Sequence, residues 1–212
     1  MKRLIPKIIV LASTAYAVVC LAHWPLGFTF FTQLSNLYMA AVALAQLKWP
    51  HGKVLPVLKY TAAVSIFVTF LVYLTILAPL MPGGIIAAYA QDHWASLCLH
   101  VITPAASLID FFLNDAPEGT WHKRHVALAL VPPVIWLTFI LLLGAIGFRW
   151  HGMSAPYPFL NTLTPTGWFG WQPSGASATT MGIGVFYEIL AMIALFEMVG
   201  RIFLAIARRF SM

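Results

Sequence analysis

Hydrophobic residues in this chain come in long runs rather than in the short periodic clusters of a water-soluble domain. Six stretches are long enough to cross a hydrocarbon core of about 30 Å: residues 4–21, 28–47, 55–77, 94–113, 125–148 and 181–207. The loops between them are short, except for the segment from Arg149 to Thr180, which is rich in Trp, Tyr, Phe, Pro and Gly. The pattern predicts an all-α polytopic membrane protein, a single domain over 1–212 built as a bundle of six transmembrane helices. Met1 to Ala22 has the outline of a secretory signal, with Lys2 and Arg3 ahead of an apolar core. Because five further spans follow, it reads as a retained first helix.

Within the spans, the polar residues fall on defined faces. Polar groups in a bilayer turn toward other helices or a cavity, because hydrocarbon cannot satisfy their hydrogen bonds. In the fourth span Ser96, His100, Thr103, Ser107 and Asp110 recur at intervals of four, three, four and three, which is one helical stripe. The second span carries Thr29, Thr32, Asn36 and Gln46 on a similar stripe. Two stripes predict two walls of one interior site. Taken singly, the serines and threonines are better explained as hydrogen-bond glue between helices.

Composition agrees with this reading: 61% hydrophobic residues, 8% charged and a mean hydropathy of +0.86 exclude an ordinary soluble domain. Charge adds an orientation. If the N-terminus is cytoplasmic, Lys2, Arg3, Lys7, Lys48, Lys53, Lys59, Lys123, Arg124, Arg201, Arg208 and Arg209 lie on the inner side. Arg149 alone lies on the outer side, so eleven of the twelve cations share one face. The positive-inside rule then predicts that both termini are cytoplasmic. The net charge of +6 does not point to nucleic acid, since these cations are scattered among loop ends where they meet lipid headgroups. Cys20 and Cys98 fall inside spans and are expected to be packing residues rather than a disulfide.

Candidate chemistry centres on His100, the histidine placed well inside a span. Pro104, four residues on, deprives the His100 carbonyl of its helical partner and predicts a kink. At about 1.5 Å per residue, His100 lies about 9 Å below the outer end of its helix and Thr32 about 6 Å below the end of its own. A threonine hydroxyl is a weak nucleophile until a hydrogen-bonded imidazole takes its proton. Asn36, one turn below Thr32, is placed to donate to a developing oxyanion. Glu188 reaches a comparable depth in the last span and is placed to orient His100. No cofactor and no metal are expected, since paired haem ligation needs a second histidine at the same depth.

Three segments carry a resemblance: Phe28-Thr-Phe-Phe-Thr32-Gln-Leu-Ser-Asn36, His100-Val-Ile-Thr-Pro104 with the following Asp110-Phe-Phe, and Tyr157-Pro-Phe-Leu-Asn161. Together they resemble the androgen-induced-gene family and its bacterial relatives, six-helix membrane proteins whose animal members are threonine hydrolases of fatty acid esters of hydroxy fatty acids. The resemblance implies Thr32 as nucleophile, His100 as base and a lipid or fatty-acyl ester as substrate. Residence in the plasma (inner) membrane of a bacterium is expected, and the charge-based topology with the depths of Thr32 and His100 puts the site on the non-cytoplasmic side. The chain departs from the animal pattern in two places: no acidic residue follows Thr32, and the interval from His100 to Pro104 is one residue shorter.

Hydrolysis of an amphipathic lipid ester is therefore the leading expectation, with acyl transfer as its close variant. A non-catalytic carrier, channel or lipid-binding scaffold is the alternative. A path through the membrane would show polar residues at all depths, whereas they concentrate here in the outer half of spans two and four. Arg149 is expected to pair with a substrate carboxylate, with Tyr157 in the aromatic loop that closes over the acyl chain. Snorkelling of Arg149 to lipid phosphate explains its position as well.

Overall fold

The computed structural model describes residues 4–50, 52–172 and 182–211. The expected inner placement of Lys2 and Arg3, and the start of the last span at Met181, lie outside the described residues. Among those described the chain is helical, with two isolated bridges, Trp150–Met153 and Trp171–Ile183, and no strand.

The principal helices are α1 (Ile5–Leu21), α2 (Phe31–Lys48), α3 (Leu55–Leu77), α4 (Gly84–Asp115), α5 (Arg124–Ala145) and α6 (Val185–Phe210). By length and composition, α3, α4, α5 and α6 can each cross a membrane. α1 is apolar but has 17 residues, and α2 is diluted by Thr32, Gln33, Ser35, Asn36 and Gln46. Pro6 and Pro56 sit in the first turns of α1 and α3, where a missing N–H leaves no bond unmade.

Three departures from the hydropathy pattern have local causes. α2 begins at Phe31 rather than 28, because Pro25–Thr29 forms a 3₁₀ turn ahead of it, and Thr29 therefore belongs to that turn. α4 begins at Gly84, so Gly84–Gln91 is helical where a loop was expected. It is then interrupted at Asp92, His93 and Trp94, whose φ values of +50°, +56° and +69° are left-handed. α5 is broken at Leu130, where Pro132 and Pro133 remove two successive N–H donors.

The kink expected at His100–Pro104 takes the form of a π-turn over Cys98–Ile102, closed by the Thr103 N–H on the Cys98 carbonyl. α3 carries a π-turn of its own at Tyr73–Leu77. Such turns insert one residue into the helical ladder and are common at functional sites.

The chain divides into two compact units, residues 1–130 with 196–212, and residues 131–195. The first contains α1 to α4, the start of α5 and the C-terminal half of α6. Its aromatic centre is Tyr60 against Phe111, Trp121 and His125, with the Tyr60 hydroxyl donating to the Gly200 carbonyl at 2.6 Å. Cys20 and Cys98 are free thiols in an apolar cluster with Ala17, Leu21 and Leu99.

The second unit holds the rest of α5, the aromatic loop and the first turns of α6. The loop caps α6. The N–H groups of Gly184, Val185 and Phe186 donate to the carbonyls of Gly170, Gly167 and Trp168, which satisfies donors that a helix start otherwise leaves orphaned. Burial is uneven among the helices: 61% of the apolar window of α3 and 50% of that of α4 are buried, but only 17% of that of α5.

Candidate functional site

The two polar stripes meet in the first unit. Asn36, fully buried on α2, donates from Nδ2 to the Thr32 carbonyl at 2.8 Å and to the Leu99 carbonyl at 3.1 Å. One amide thus ties the turn carrying Thr32 to the residue next to His100. Ser35 also donates to the Thr32 carbonyl, at 2.9 Å, and its Oγ lies 3.3 Å from that of Thr69 on α3. Thr32 and His100 are both buried. With both Asn36 amide hydrogens engaged by main-chain carbonyls, its Oδ1 is left without a hydrogen-bond partner among the described residues.

His100 makes its main contact through its ring face. The imidazole stacks on Tyr73 with centroids 3.4 Å apart and planes within 8°. Its Nδ1 is buried and has no hydrogen-bond partner among the described residues.

Below His100, the remaining members of the α4 stripe are each engaged. Thr103 shares a 2.7 Å hydrogen bond with Ser13 of α1, and Ser107 donates to the Thr103 carbonyl at 2.7 Å. Asp110 meets two lysines. Its Oδ1 is 2.6 Å from Lys7 Nζ, its Oδ2 accepts from Lys59, and Asn114 donates to Oδ1 at 2.7 Å. Lys59 and Asp110 are completely buried and Lys7 nearly so.

Two of the cations read as inner-face loop charges are therefore interior. Lys7 and Lys59 reach inward because a carboxylate on a third helix compensates them. Without these two, the sequence count of cations expected on the inner side falls from eleven against one to nine against one.

The other expected site residues belong to the second unit. Glu188, in the first turns of α6, is buried with Oε1 unpartnered among the described residues. It lines a recess with Pro158, Phe159, Asn161, Thr164, Ile183 and Val185 that is too narrow to admit a water-sized sphere. Tyr157 is buried, stacked on Phe159 at 5.2 Å and edge-on to Trp136 at 5.7 Å. The segment from Tyr157 to Asn161 and the carboxyl of Glu188 are thus brought together. Arg149 is exposed, and its Nη1 donates to the carbonyls of Gly144 at 2.7 Å and Phe148 at 2.8 Å, capping the end of α5.

Two features were missed by the sequence reading. The Lys7–Asp110–Lys59 cluster carried a signal, an acidic residue on the inward stripe of a span. The Tyr73–His100 stack carried none, since a contact between two helices leaves no mark on the periodicity of either. Comparison with family models, curated proteins and solved structures found no match to this chain.

Proposed function

We propose that this chain is a membrane-embedded lipid ester hydrolase of the androgen-induced-gene kind, with Thr32 as nucleophile and His100 as base. The observation that carries the reading is the Asn36 amide, which holds the turn of Thr32 against the turn of His100 at one level of the first unit. In this reaction His100 takes the Thr32 hydroxyl proton as Oγ attacks the ester carbonyl. The tetrahedral intermediate then collapses, and the departing alcohol leaves with that proton. Water repeats the sequence on the acyl-threonine and releases the fatty acid; a second alcohol in place of water makes the reaction an acyl transfer. Asn36 acts as the clamp that keeps the two turns in register.

The reading includes six spans with both termini cytoplasmic, in the inner membrane of a bacterium, and a site opening to the outer leaflet. A role for Arg149 in binding the carboxylate of a free-acid substrate, and for Tyr157 in holding its chain, belongs to the same reading. The test is labelling of purified protein with a fluorophosphonate lipid probe, together with hydrolysis of a fatty acid ester of a hydroxy fatty acid. Thr32→Ala abolishes both while the protein still folds, and Thr32→Ser retains part. Undiminished hydrolysis by Thr32→Ala would remove Thr32 from the mechanism.

A second reading, a carrier or channel, is favoured by one observation. Buried polar groups extend along α4 from His100 through Thr103 and Ser107 to Asp110, deeper than the outer-half concentration expected. Solute or ion flux in proteoliposomes that survives Thr32→Ala and is lost in Asp110→Asn would select it.

A further inference from the structure

A catalytic imidazole works only if its ring is held at a fixed angle to the nucleophile. In hydrolases the usual device is a carboxylate or carbonyl that hydrogen-bonds the ring nitrogen facing away from the nucleophile. Among the described residues no hydrogen bond reaches the His100 Nδ1. What the ring has instead is a flat partner, Tyr73, parallel within 8° at 3.4 Å. Both residues stand in π-turns, Tyr73–Leu77 of α3 and Cys98–Ile102 of α4.

Tyr73 is itself tethered. Its hydroxyl donates to the Ala88 carbonyl at 2.9 Å and shares a 2.8 Å hydrogen bond with Ser96 Oγ, while Tyr89 packs against its ring at 5.4 Å. The tyrosine ring is therefore fixed at its hydroxyl by two points of α4 and at its root by α3. One of those points, Ala88, lies on the short segment Gly84–Gln91. Left-handed backbone bounds that segment on both sides, at Gly83–Gly84 and at Asp92–Trp94.

We infer that Tyr73 is the positioning residue of His100, setting the imidazole plane through its ring face in place of a hydrogen-bonded carboxylate. The inference rests on the reading of His100 as the base. The tether adds a dependence: the angle of the base is referred, through the tyrosine hydroxyl, to the segment Gly84–Gln91 outside the kink.

The experiment uses the full chain in lipid nanodiscs, with Tyr73→Phe, Tyr73→Leu and Tyr73→Trp beside the wild type. The first removes the tether and keeps the stack, the second removes the stack, and the third restores a flat face. One readout is kcat and KM for ester hydrolysis. The other is the rate at which diethylpyrocarbonate modifies His100, followed by mass spectrometry, with exposed His23 and His122 as internal controls.

Tyr73→Leu lowers kcat by about 100-fold with KM little changed, the size of loss expected from a misplaced catalytic group. His100 carbethoxylation accelerates several-fold while the controls hold. Tyr73→Phe falls between, and Tyr73→Trp recovers part of the loss. Unchanged carbethoxylation of His100 in folded Tyr73→Leu, or equal loss in Tyr73→Trp and Tyr73→Leu, overturns the inference. Absence of hydrolysis in the wild type would overturn the hydrolase reading instead, and the carbethoxylation rates would still decide whether Tyr73 holds the ring.

Discussion

Asp110 shows how much one residue can demand of its neighbours. A fully buried carboxylate is tolerable only where opposite charge and hydrogen bonds replace water, and here Lys7, Lys59 and Asn114 supply them from two further helices and from its own. Replacing Asp110 by Leu leaves two buried ammonium groups facing each other. A destabilisation of about 3–5 kcal/mol is expected, the usual cost of breaking a buried pair from one side. Replacing Lys7 and Lys59 by Met at the same time should recover most of it, since an apolar set of similar volume needs no compensation. Chemical unfolding of the single and triple variants in mild detergent checks both statements; a triple variant no more stable than Asp110→Leu would refute them. Arg149 poses a different question at the same scale, because one of its guanidinium nitrogens already caps α5. If the rest of the group receives a substrate carboxylate, Arg149→Gln raises KM for a free-acid ester and spares the matching methyl ester. Equal effects on both substrates would leave the helix cap as its whole role.

At the scale of elements, the kink in α4 inverts a familiar rule. Glycine inside a helix normally costs about 1 kcal/mol. Asp92, His93 and Trp94, however, hold left-handed φ values that penalise any residue with a Cβ by about 1–2 kcal/mol. His93→Gly should therefore stabilise the protein by about 1 kcal/mol, a sign opposite to that of glycine in the regular turns of α3. A lowered unfolding midpoint would show that the His93 side chain contributes more than its backbone strain costs. Gly144 gives the converse case. A Cβ there would stand 2.3 Å from the Ser154 carbonyl oxygen, so Gly144→Ala forces α5 away from its following loop at about 1–3 kcal/mol. The kink at 92–94 was illegible in the sequence, which offers no glycine or proline at Asp92-His93-Trp94 to announce it. The break at Leu130 was legible in Pro132-Pro133 but masked by the hydrophobicity of the residues around it. That the polar stripes of α2 and α4 approach each other at Asn36 and Leu99 was legible in their matched depths, which follow from counting residues, whereas the aromatic partner of His100 required knowing which faces of α3 and α4 oppose.

At the scale of the whole molecule, hydropathy recovered the helices and misjudged two of the charges. A linear scan scores Lys7 and Lys59 as boundary markers, because it cannot see that Asp110 arrives beside them from a span far along the chain. Nine cations against Arg149 still predict an inner C-terminus. Reporter fusions after Lys53 and after Arg209 should report the cytoplasm, and one at Gly83 the opposite side; an outer C-terminus would require an odd number of spans. The uneven burial of the helices has one more consequence. Ile135, Phe139 and Leu142 of α5 are exposed, at 65%, 50% and 61%, so if α5 crosses a membrane, as its length and composition allow, acyl chains meet these side chains. In that case lipid is a structural component of this helix and not merely its solvent. Hydrogen exchange along α5 should vary with the thickness of the bilayer while the amides around Lys59 and Asp110 stay indifferent to it, which would make membrane composition a selective control on this helix.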